Sequence, residues 1–240
     1  GIGDAIVRRF AREGASVVFT YNKNKESAEK IVQELKSENV QIECLPCSIQ
    51  DSASVQAVID KTIEKFDRVD ILVNNAGIIR DGLFMTMEED TWKEVINTNV
   101  GGTFLFSKAV CEHMMFQKKG RIINMSSVSG FSTSPAFSAY NASKWALEAF
   151  SESLRYELKF FGIDVLLIEP GTYKTKIFFE NARLASRHDN PQSPYYPISQ
   201  HIKRKVEEYV ADCHKDIEEV PLLVEKLIKD SAAAIKIPLD

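Results

Sequence analysis

The chain has 240 residues, of which 44% are hydrophobic and 27% are charged, and its net charge is −4. This length allows one large, well-packed domain or two small ones, and the mildly acidic balance argues against nucleic acid or an anionic membrane as a partner. No apolar run reaches the roughly 20 residues that span a bilayer, and no segment at the start resembles a signal peptide, so we expect a cytoplasmic protein.

Four cysteines and four histidines are the candidates for disulfides, redox chemistry or metal binding. Cys44 and Cys47 have the CxxC spacing of a redox pair, but they lie in an apolar, extended run rather than at the start of a helix. We therefore interpret this run as a strand. The remaining cysteines and histidines lack zinc spacing, so no metal site is predicted, and so few cysteines are typical of a reducing compartment.

Short apolar runs alternate with helical periodicity as far as Gly171. In chain order, the pattern predicts a helix after Gly3, a strand at 15–20, a helix at 25–38, a strand at 40–46, a helix at 51–66 with Asp51 as N-cap, a strand in "DILVNNAG" at 70–77, a helical stretch through Val110, a strand in "GRIINMSS" at 120–127, a helix around Tyr140 and a strand at 163–171. Strands this apolar are typical of burial on both faces. The alternation predicts a doubly wound parallel α/β sheet with helices on both faces, in the manner of a Rossmann fold.

The pattern changes after Gly171. Residues 172–200 contain "NPQSPYYP", which predicts no strand, and helical periodicity resumes at 199–214 and 217–230. This part is too short to bury a core of its own. We interpret it as an excursion within a single domain that spans residues 1–240.

The sequence opens with "GIG" directly before a helix. Glycines in that position let backbone N–H groups approach a pyrophosphate, and the helix dipole favours the anion. The motif is weak by itself, and it lacks the strand that normally precedes it. We therefore expect that the sequence starts inside the motif, with the first strand absent.

Polar residues follow several predicted strands, where open α/β sheets bind their ligands. "NNAG" occupies 74–77, and Ser127 follows the strand "IINM". The segment "SAYNASKWALEAF" at 138–150 places Tyr140 and Lys144 one turn apart on the same helix face. A cation beside a phenol lowers the phenol pKa from its ordinary value of about 10. A buried ring with a surface lysine is the simpler interpretation of this pair, but the combination with the other motifs argues against it.

Together these motifs resemble the classical short-chain dehydrogenase/reductase family. The matching features, in family order, are "GIG", "NNAG", Asn99, Ser127, "YNASK" at 140–144 and "PGTYKT" at 170–175, and they cover residues 1 to about 176. Within the family, residues 74–110 are similar to the 3-oxoacyl-[acyl carrier protein] reductases. The segment after Thr175 does not follow that subgroup.

The resemblance implies an enzyme that interconverts a carbonyl and a secondary alcohol by hydride transfer with a nicotinamide cofactor. Tyr140 would be the general acid/base, and Lys144 would lower its pKa and contact the nicotinamide ribose. Ser127 would hydrogen-bond the reacting oxygen, and Asn99 would hold a water in a proton relay behind Lys144.

The resemblance also assigns the cofactor contacts, which are Gly1, Ile2, Gly3, Tyr21, Asn22, Lys23, Ser48, Ile49, Asn75, Ala76, Gly77, Tyr140, Lys144, Pro170, Gly171, Thr172 and Thr175. A carboxylate at the end of the second strand of such a fold would bind a ribose 2′-hydroxyl and repel a 2′-phosphate. "TYNKNK" at 20–25 has no acid there, while its lysines could bind a phosphate, so NADP(H) is predicted over NAD(H). Ser48 replaces the aspartate that the family usually has near the adenine.

Residues 176–215 are expected to fold over the substrate as a lid. Phe178, Phe179, Tyr195 and Tyr196 would line one side of an apolar pocket for a hydrophobic substrate, with Phe131 and Phe137 opposite them. The alternative is that these aromatic residues only pin the excursion to the domain.

A homodimer or homotetramer is expected through the helices at 101–117 and 139–161. Their apolar residues exceed what one sheet-facing stripe needs, and they include Phe104, Phe106, Trp145, Phe150 and Leu154.

Two other functions stay open. The first is a true 3-oxoacyl-[acyl carrier protein] reductase, which the first half of the chain favours and the segment after Thr175 does not. The second is a nucleotide-binding regulatory protein without turnover, against which the set of Asn99, Ser127, Tyr140 and Lys144 argues.

Overall fold

Helices and strands alternate along most of the computed structural model, which describes residues 1–38, 40–175, 177, 183–184, 190–229 and 236–239. In chain order the elements are α1 (Ile2–Arg12), β1 (Val17–Tyr21), α2 (Lys25–Lys36), β2 (Ile42–Pro46), α3 (Ser52–Phe66), β3 (Ile71–Asn74), β4 (Arg80–Asp81), α4 (Glu89–Ile96), α5 (Gly102–Gln117), β5 (Gly120–Met125), α6 (Ser138–Leu158), β6 (Ile163–Pro170), β7 (Arg183–Leu184), α7 (Tyr196–Ala211), α8 (Glu219–Lys229) and β8 (Lys236–Leu239).

The strands pair in parallel throughout. β3, β5, β6 and β8 form a four-stranded sheet in that order, β1 pairs with β2, and β4 pairs with β7. Because the strands of each sheet run in one direction, their carboxyl ends meet at one edge, where Asn74 lies beside Asn124 and Met125 beside Ile168. The predicted parallel α/β fold is confirmed.

Alternate residues of the central strands β5 and β6 are buried on opposite faces. Ile123 and Leu166 belong to an apolar cluster with residues of α1 and α8. Ile122 and Val165 belong to a second cluster with residues of α3, α5 and α6. Asp164 is the one exposed residue of β6. Strands that are covered by helices on both faces have this composition.

β1 and β3 both line a cavity of about 720 Å³. Each of these strands pairs with one neighbour in the described part of the chain, so neither of the facing edges is hydrogen-bonded to a further strand. The cavity also reaches Gly3, Asn75 and Ala76. It therefore adjoins the carboxyl edge of the sheets, where the predicted cofactor residues lie.

Two strands lie where the sequence pattern predicted none. β7 falls within 172–200, so the prediction of no strand there is wrong; this strand has two residues, which is too short for a recognisable pattern. β8 pairs with β6 at the edge of the sheet and contains Pro238. Proline lacks the N–H that a residue of a central strand must donate, so it is tolerated in an edge strand. Its presence in the sequence nevertheless argues against a strand, which is why β8 was not predicted.

The predicted helices are present with boundaries shifted by a few residues. Asp51 caps α3 as expected, because its carboxylate accepts hydrogen bonds from the backbone N–H groups of Ala53 and Ser54 at 3.3 and 3.1 Å. The helical stretch through Val110 is divided by a π-helical turn at Asn97–Gly101. None of the described helices is long and apolar enough to cross a membrane.

The first cysteine of the CxxC pair lies in a strand and the second directly after it, in agreement with the predicted strand at 40–46. Cys44 lies in β2, and Cys47 follows it as a buried residue. Burial raises the pKa of both thiols. A redox pair needs the opposite shift, because the thiolate is the reactive form.

α5, α6 and the short turn after α6 expose aromatic residues. Phe104 and Trp145 are about half exposed, and the rings of Phe104 and Phe150 meet edge to face at 6.4 Å. Phe106 and Leu154, two of the residues counted toward a subunit interface, are half-buried and pack against the cluster of α3, α5 and α6, so they do not belong to the exposed set. We call the exposed residues Phe104, Phe116, Trp145, Tyr156 and Phe160 the aromatic surface.

Candidate active site

Tyr140 and Lys144 occupy the first two turns of α6. The Lys144 ammonium lies 5.5 Å from the centre of the Tyr140 ring and donates a hydrogen bond to the Met125 carbonyl at 2.8 Å. Lys144 is buried, and this burial lowers its pKa from 10.5 to about 8, while the Glu148 carboxylate acts in the opposite direction. The side chain therefore carries a positive charge at neutral pH, beside the phenol.

Asn99 lies in the π-helical turn between α4 and α5. Such a turn inserts one residue into the helix and changes the direction of the side chains beside it. The Asn99 Oδ1 accepts a hydrogen bond from the Ile78 backbone N–H at 2.8 Å, and Nδ2 donates to the Ile78 carbonyl at 3.1 Å and to Ser143 Oγ at 2.9 Å. The amide is thus fixed both by the chain after β3 and by α6.

The Asn99 and Lys144 side chains both lie close to the backbone at Gly77. A Cβ atom on Gly77 would lie 3.5 Å from Asn99 Oδ1 and 3.8 Å from Lys144 Nζ, so both side chains reach the backbone at this position. Three of the four predicted catalytic residues, Asn99, Tyr140 and Lys144, are therefore close together at the carboxyl end of β3.

Ser127 lies on the turn that follows β5. Its Oγ accepts a hydrogen bond from the Ser129 backbone N–H at 3.2 Å, and the residue is buried. Met125, whose carbonyl binds Lys144, is two residues earlier. Ser127 therefore belongs to the same part of the molecule as the other three residues.

The first turn of α1 meets the end of β3. Gly1 is the N-cap, and a Cβ on Gly3 would lie 2.6 Å from Asn75 Nδ2, so glycine lets the Asn75 side chain approach the helix closely. The first backbone N–H groups of a helix have no partner within it and can bind an anion. The start of α1 adjoins the cavity that reaches Gly3, Asn75 and Ala76, and this arrangement fits the pyrophosphate of a dinucleotide.

The remaining predicted cofactor residues also lie at carboxyl ends of strands. Tyr21 ends β1, Asn22 and Lys23 are exposed after it, Ser48 and Ile49 follow β2, Ala76 follows β3, Pro170 ends β6, and Gly171, Thr172 and Thr175 follow Pro170. Ile49 packs against Gly102, where a Cβ would lie 2.9 Å from its side chain. Gln50 donates a hydrogen bond to Thr98 Oγ1 at 2.6 Å. These contacts hold the loop after β2 against the start of α5.

The loop after β6 is bound to the first residue of α8 and to the segment between α7 and α8, which the sequence did not predict. Tyr173 is buried, and its hydroxyl donates to Glu219 Oε2 at 3.1 Å; burial and this hydrogen bond raise the pKa of Tyr173 to about 12. Cys213 Sγ donates to the Thr172 carbonyl at 2.8 Å. The loop that carries Thr172 and Thr175 is thus anchored at two adjacent residues.

The predicted aromatic wall is described only in part. Phe178 and Phe179 lie outside the described residues. Phe131 is exposed after the turn that carries Ser127, and Phe137 is the N-cap of α6. Tyr195 and Tyr196 lie at the start of α7. That these residues enclose a substrate stays a prediction. Among the described side chains, no group of three His, Cys, Asp or Glu residues could hold a metal ion.

Comparison with known proteins gives the family. The sequence model of the family described as short chain dehydrogenase matches residues 1–184. The 3-oxoacyl-[acyl-carrier-protein] reductase FabG of Staphylococcus aureus is 38% identical over 171 residues, which are 71% of this chain and 70% of that protein. The 3-oxoacyl-[acyl-carrier-protein] reductase of Synechocystis is 36% identical over 175 residues, 73% of this chain and 71% of that protein. The solved structure of a short-chain dehydrogenase from Streptomyces avermitilis covers 100% of this chain and 84% of its own, with a TM-score of 0.85 and 25% identity.

The chain therefore belongs to the short-chain dehydrogenase/reductase family. It is an oxidoreductase that uses a nicotinamide cofactor to interconvert a carbonyl and an alcohol, as the sequence predicted. The predicted similarity to 3-oxoacyl-[acyl carrier protein] reductases is also confirmed. Membership in a family of enzymes removes the support for a regulatory protein without turnover.

Proposed function

We propose that this enzyme is an NADP(H)-dependent reductase that interconverts a hydrophobic ketone and the corresponding secondary alcohol. The observation that carries the proposal is the buried ammonium of Lys144 beside the Tyr140 ring, held by the Met125 carbonyl at the carboxyl edge of the sheet. A lysine costs free energy to bury in this way, and enzymes accept that cost where a charge is needed for catalysis.

Tyr140 would act as the general acid in the direction of reduction. A bound nicotinamide would supply the hydride, or accept it in the reverse direction. The Tyr140 hydroxyl would give its proton to the carbonyl oxygen, and the charge on Lys144 would favour the phenolate that is left behind. Ser127 Oγ accepts a hydrogen bond from Ser129, so its own O–H can donate to the same carbonyl oxygen.

Asn99 would position the proton relay through its carbonyl oxygen. Both hydrogens of its Nδ2 are donated, to Ile78 and to Ser143. Its backbone carbonyl accepts from Thr103 Oγ1 at 3.0 Å. A relay water would therefore bind at the second lone pair of Oδ1, on the side of Gly77 and Lys144.

The cofactor would bind across the carboxyl edge. The backbone N–H groups at Ile2 and Gly3 would bind the pyrophosphate, the strand ends at 75–77 and 170–175 would contact the rest of the cofactor, and Lys144 would contact the ribose. NADP(H) is favoured because the turn after β1 exposes Asn22 and Lys23 and has no acid. Lys25 forms an ion pair with Glu29 at 3.5 Å, so Lys23 is the stronger candidate for the phosphate.

Replacing Tyr21 by Asp should reverse the cofactor preference. A carboxylate at the end of β1 would repel a 2′-phosphate and accept a hydrogen bond from a 2′-hydroxyl. We expect the ratio of NADPH to NADH affinity to fall about tenfold or more, which corresponds to about 1.4 kcal/mol. Nucleotide fluorescence titration measures both affinities, and Tyr21→Asn is the control of similar size without charge. A wild-type enzyme that binds NADH more tightly would contradict the proposal.

The substrate would be hydrophobic, because the segment 176–215 follows the cofactor loop in the sequence and includes Phe178, Phe179, Tyr195 and Tyr196. Its described part includes α7, and Cys213 at the end of that part binds Thr172 in the loop after β6. We therefore propose that this segment is a lid within a single domain.

A screen with NADPH and NADH tests the substrate. Ketones, steroids, retinoids and 3-oxoacyl thioesters are compared by the absorbance of the reduced nicotinamide. We expect the highest kcat/KM for a bulky apolar ketone with NADPH. A preference for small polar substrates would contradict the proposal that residues 176–215 form an apolar lid. Absence of turnover with every class of substrate would contradict the proposed reaction.

A 3-oxoacyl-[acyl carrier protein] reductase is the second candidate. It is favoured by the identities of 38% and 36% to reductases of that name, each over about seven tenths of the chain. A kcat/KM for a 3-oxoacyl thioester well above that for free ketones would select this function. The two candidates share the roles of Tyr140, Lys144 and Ser127.

We expect a homodimer or homotetramer formed through the aromatic surface of α5 and α6. Phe104 and Phe116 of α5, Trp145 and Tyr156 of α6 and Phe160 in the turn after α6 are all exposed, and exposed aromatic side chains of this kind are typical of an interface. Light scattering at micromolar concentration should give at least twice the chain mass of 27.1 kDa. Trp145→Glu should lower that mass, whereas Tyr209→Glu on α7 should not; a wild-type monomer would contradict the expectation.

A cytoplasmic location is the last part of the proposal. All four cysteines are free thiols in the structure, including the buried Cys47. Free thiols at this frequency suit a reducing compartment. Fractionation of cells that produce the protein tests this, and recovery outside the cytoplasm would contradict it.

A further inference from the structure

Glu148 lies one turn after Lys144 on the buried side of α6. Residues four apart share a helix face, and both of these side chains are only 6% exposed. Charged side chains are rarely buried unless they are paired or needed for function. A basic and an acidic side chain are therefore buried one turn apart behind Tyr140.

The Glu148 carboxylate also reaches the turn that carries Ser127. A Cβ on Gly130 would lie 2.7 Å from Glu148 Oε1 and 2.9 Å from Ser126 Oγ. Glycine at 130 thus makes the space that this carboxylate occupies. The carboxylate therefore lies against Gly130, in the turn that follows Ser127, and Glu148 shares a helix face with Lys144.

The other charged groups near this pair are mostly engaged elsewhere. The elements that pack against α6 are β5, β6, α4, α5, β4 and the short turns at 97–101, 128–130 and 159–161. Their described acidic and basic side chains are Glu94 paired with Arg80, Glu89 paired with Lys93, Asp164 paired with Arg121, the exposed Asp90, Lys108, Glu112 and Lys159, the half-buried His113 and the buried Glu169 of β6. On α6 itself, Tyr140 and Glu152 are the nearest further titratable groups. Among these groups, Glu148 is the one whose charge acts on Lys144.

We propose that Glu148 is a positioning residue for the reaction, whose buried negative charge keeps Lys144 protonated over the pH range in which Tyr140 exchanges its proton. The proposal rests on the function proposed above. Glu148 does not touch the reacting atoms; it acts through Lys144 and lies against the turn of Ser127.

The direction of the effect follows from the charges. Burial lowers the pKa of Lys144 to about 8, and the carboxylate opposes this shift. Without the carboxylate, Lys144 would lose its proton at a lower pH. The cation beside Tyr140 would then be missing over part of the neutral and alkaline range, and activity would fall there first.

Glu148→Gln tests the charge with almost no change in shape, and Glu148→Asp restores the charge. We expect the titration midpoint of Lys144, followed by NMR of ¹³C-labelled lysine, to fall by about one pH unit or more in Glu148→Gln and to recover in Glu148→Asp. The resonance is assigned with Lys144→Met. The alkaline limb of the kcat profile should move in the same direction. An unchanged midpoint in a folded Glu148→Gln variant overturns the proposal.

A measurement on the wild-type enzyme covers the case in which Glu148→Gln does not fold. ¹³C-labelled glutamate reports whether the Glu148 carboxyl is ionised between pH 6 and 8. The proposal requires an ionised carboxylate there, and a protonated carboxyl overturns it. Because neither NMR measurement needs a substrate, a failure of the proposed reaction shows itself separately, as absence of turnover with an intact Lys144 midpoint.

Discussion

Replacing Tyr140 by Phe is expected to lower kcat for ketone reduction by about 10²- to 10⁴-fold. The substitution removes only the hydroxyl that would give its proton to the carbonyl oxygen, and the ring stays beside Lys144. The Kd for NADPH should stay almost unchanged, because the cofactor contacts of Lys144 and of the strand ends are kept. Steady-state kinetics and nucleotide titration measure the two quantities.

Tyr156→Phe is the matched control for this prediction. Tyr156 lies on the same helix, α6, but it is exposed and far from the first two turns, which carry Tyr140 and Lys144. Its substitution by Phe removes the same hydroxyl group. Its kcat should equal that of the wild type. If Tyr140→Phe keeps most of its activity, the acid/base role is wrong; if Tyr156→Phe loses as much, the loss reflects α6 rather than the proton donor.

Lys144→Met should abolish most of the activity and change the pH dependence of stability. Loss of the cation raises the free energy of the phenolate at Tyr140 and removes a contact with the ribose, so kcat falls and the Kd for NADPH rises. Lys159→Met, at the exposed end of α6, is the control and should affect neither.

The sign of the stability effect follows from the lowered pKa. Unfolded lysine titrates near 10.4, whereas Lys144 in the folded protein titrates at about 8. Below pH 8 Lys144 is charged in both states, and burial of this charge lowers the free energy of unfolding by its full amount. As the pH rises from 8 to about 10.4, the folded state releases the proton, so the free energy of unfolding of the wild type rises relative to that of the variant. This gain should reach about 3 kcal/mol, since one pKa unit corresponds to about 1.4 kcal/mol.

Urea unfolding of both proteins between pH 7 and 10.5 measures this difference. The comparison of the two pH curves removes the contribution of all other titrating groups, and a constant offset from the lost hydrogen bond to Met125 does not affect the slope. Parallel curves would mean that Lys144 titrates normally in the folded state.

The sequence predicted where the proposed catalytic side chains lie in those cases in which local geometry fixes their places. Tyr140 and Lys144 are four residues apart, so a helix must place them on one face whatever else the fold does. The strand ends at Asn75 and Ser127 were found because apolar runs that are covered on both faces are easy to recognise. The direction of parallel strands then brings these residues to one edge.

Features that depend on distant partners could not be predicted. Tyr173 binds Glu219, which is 46 residues away, and no local pattern connects the two. Glu148 has the spacing that places it behind Lys144, but an exposed and a buried glutamate look alike in a sequence. The π-helical turn at Asn97–Gly101 has no distinct pattern either, because Asn and Gly only weaken an ordinary helix.

Phe106 and β8 show that the neighbouring elements decide where a residue or strand lies, which the number of apolar residues in a segment does not reveal. Phe106 was counted among the apolar residues that support a subunit interface, but it is half-buried and packs against the cluster that contains residues of α3 and β5. β8 contains a proline that argues against a central strand, and the sheet accepts it because the strand lies at the edge. Both outcomes depend on which element lies beside the residue, which a single sequence does not state.

The pH dependence of a single turnover tests the acid role of Tyr140 most directly. Enzyme with bound NADPH is mixed with a hydrophobic ketone in a stopped-flow instrument between pH 6 and 10, and the decay of the reduced nicotinamide gives the rate. The proposed mechanism predicts a rate that falls as the pH rises, because Tyr140 must hold a proton to give it to the carbonyl oxygen, with an apparent pKa that belongs to the coupled Tyr140 and Lys144 pair. A rate that is independent of pH, or that falls in the same way in Tyr140→Phe, would contradict it.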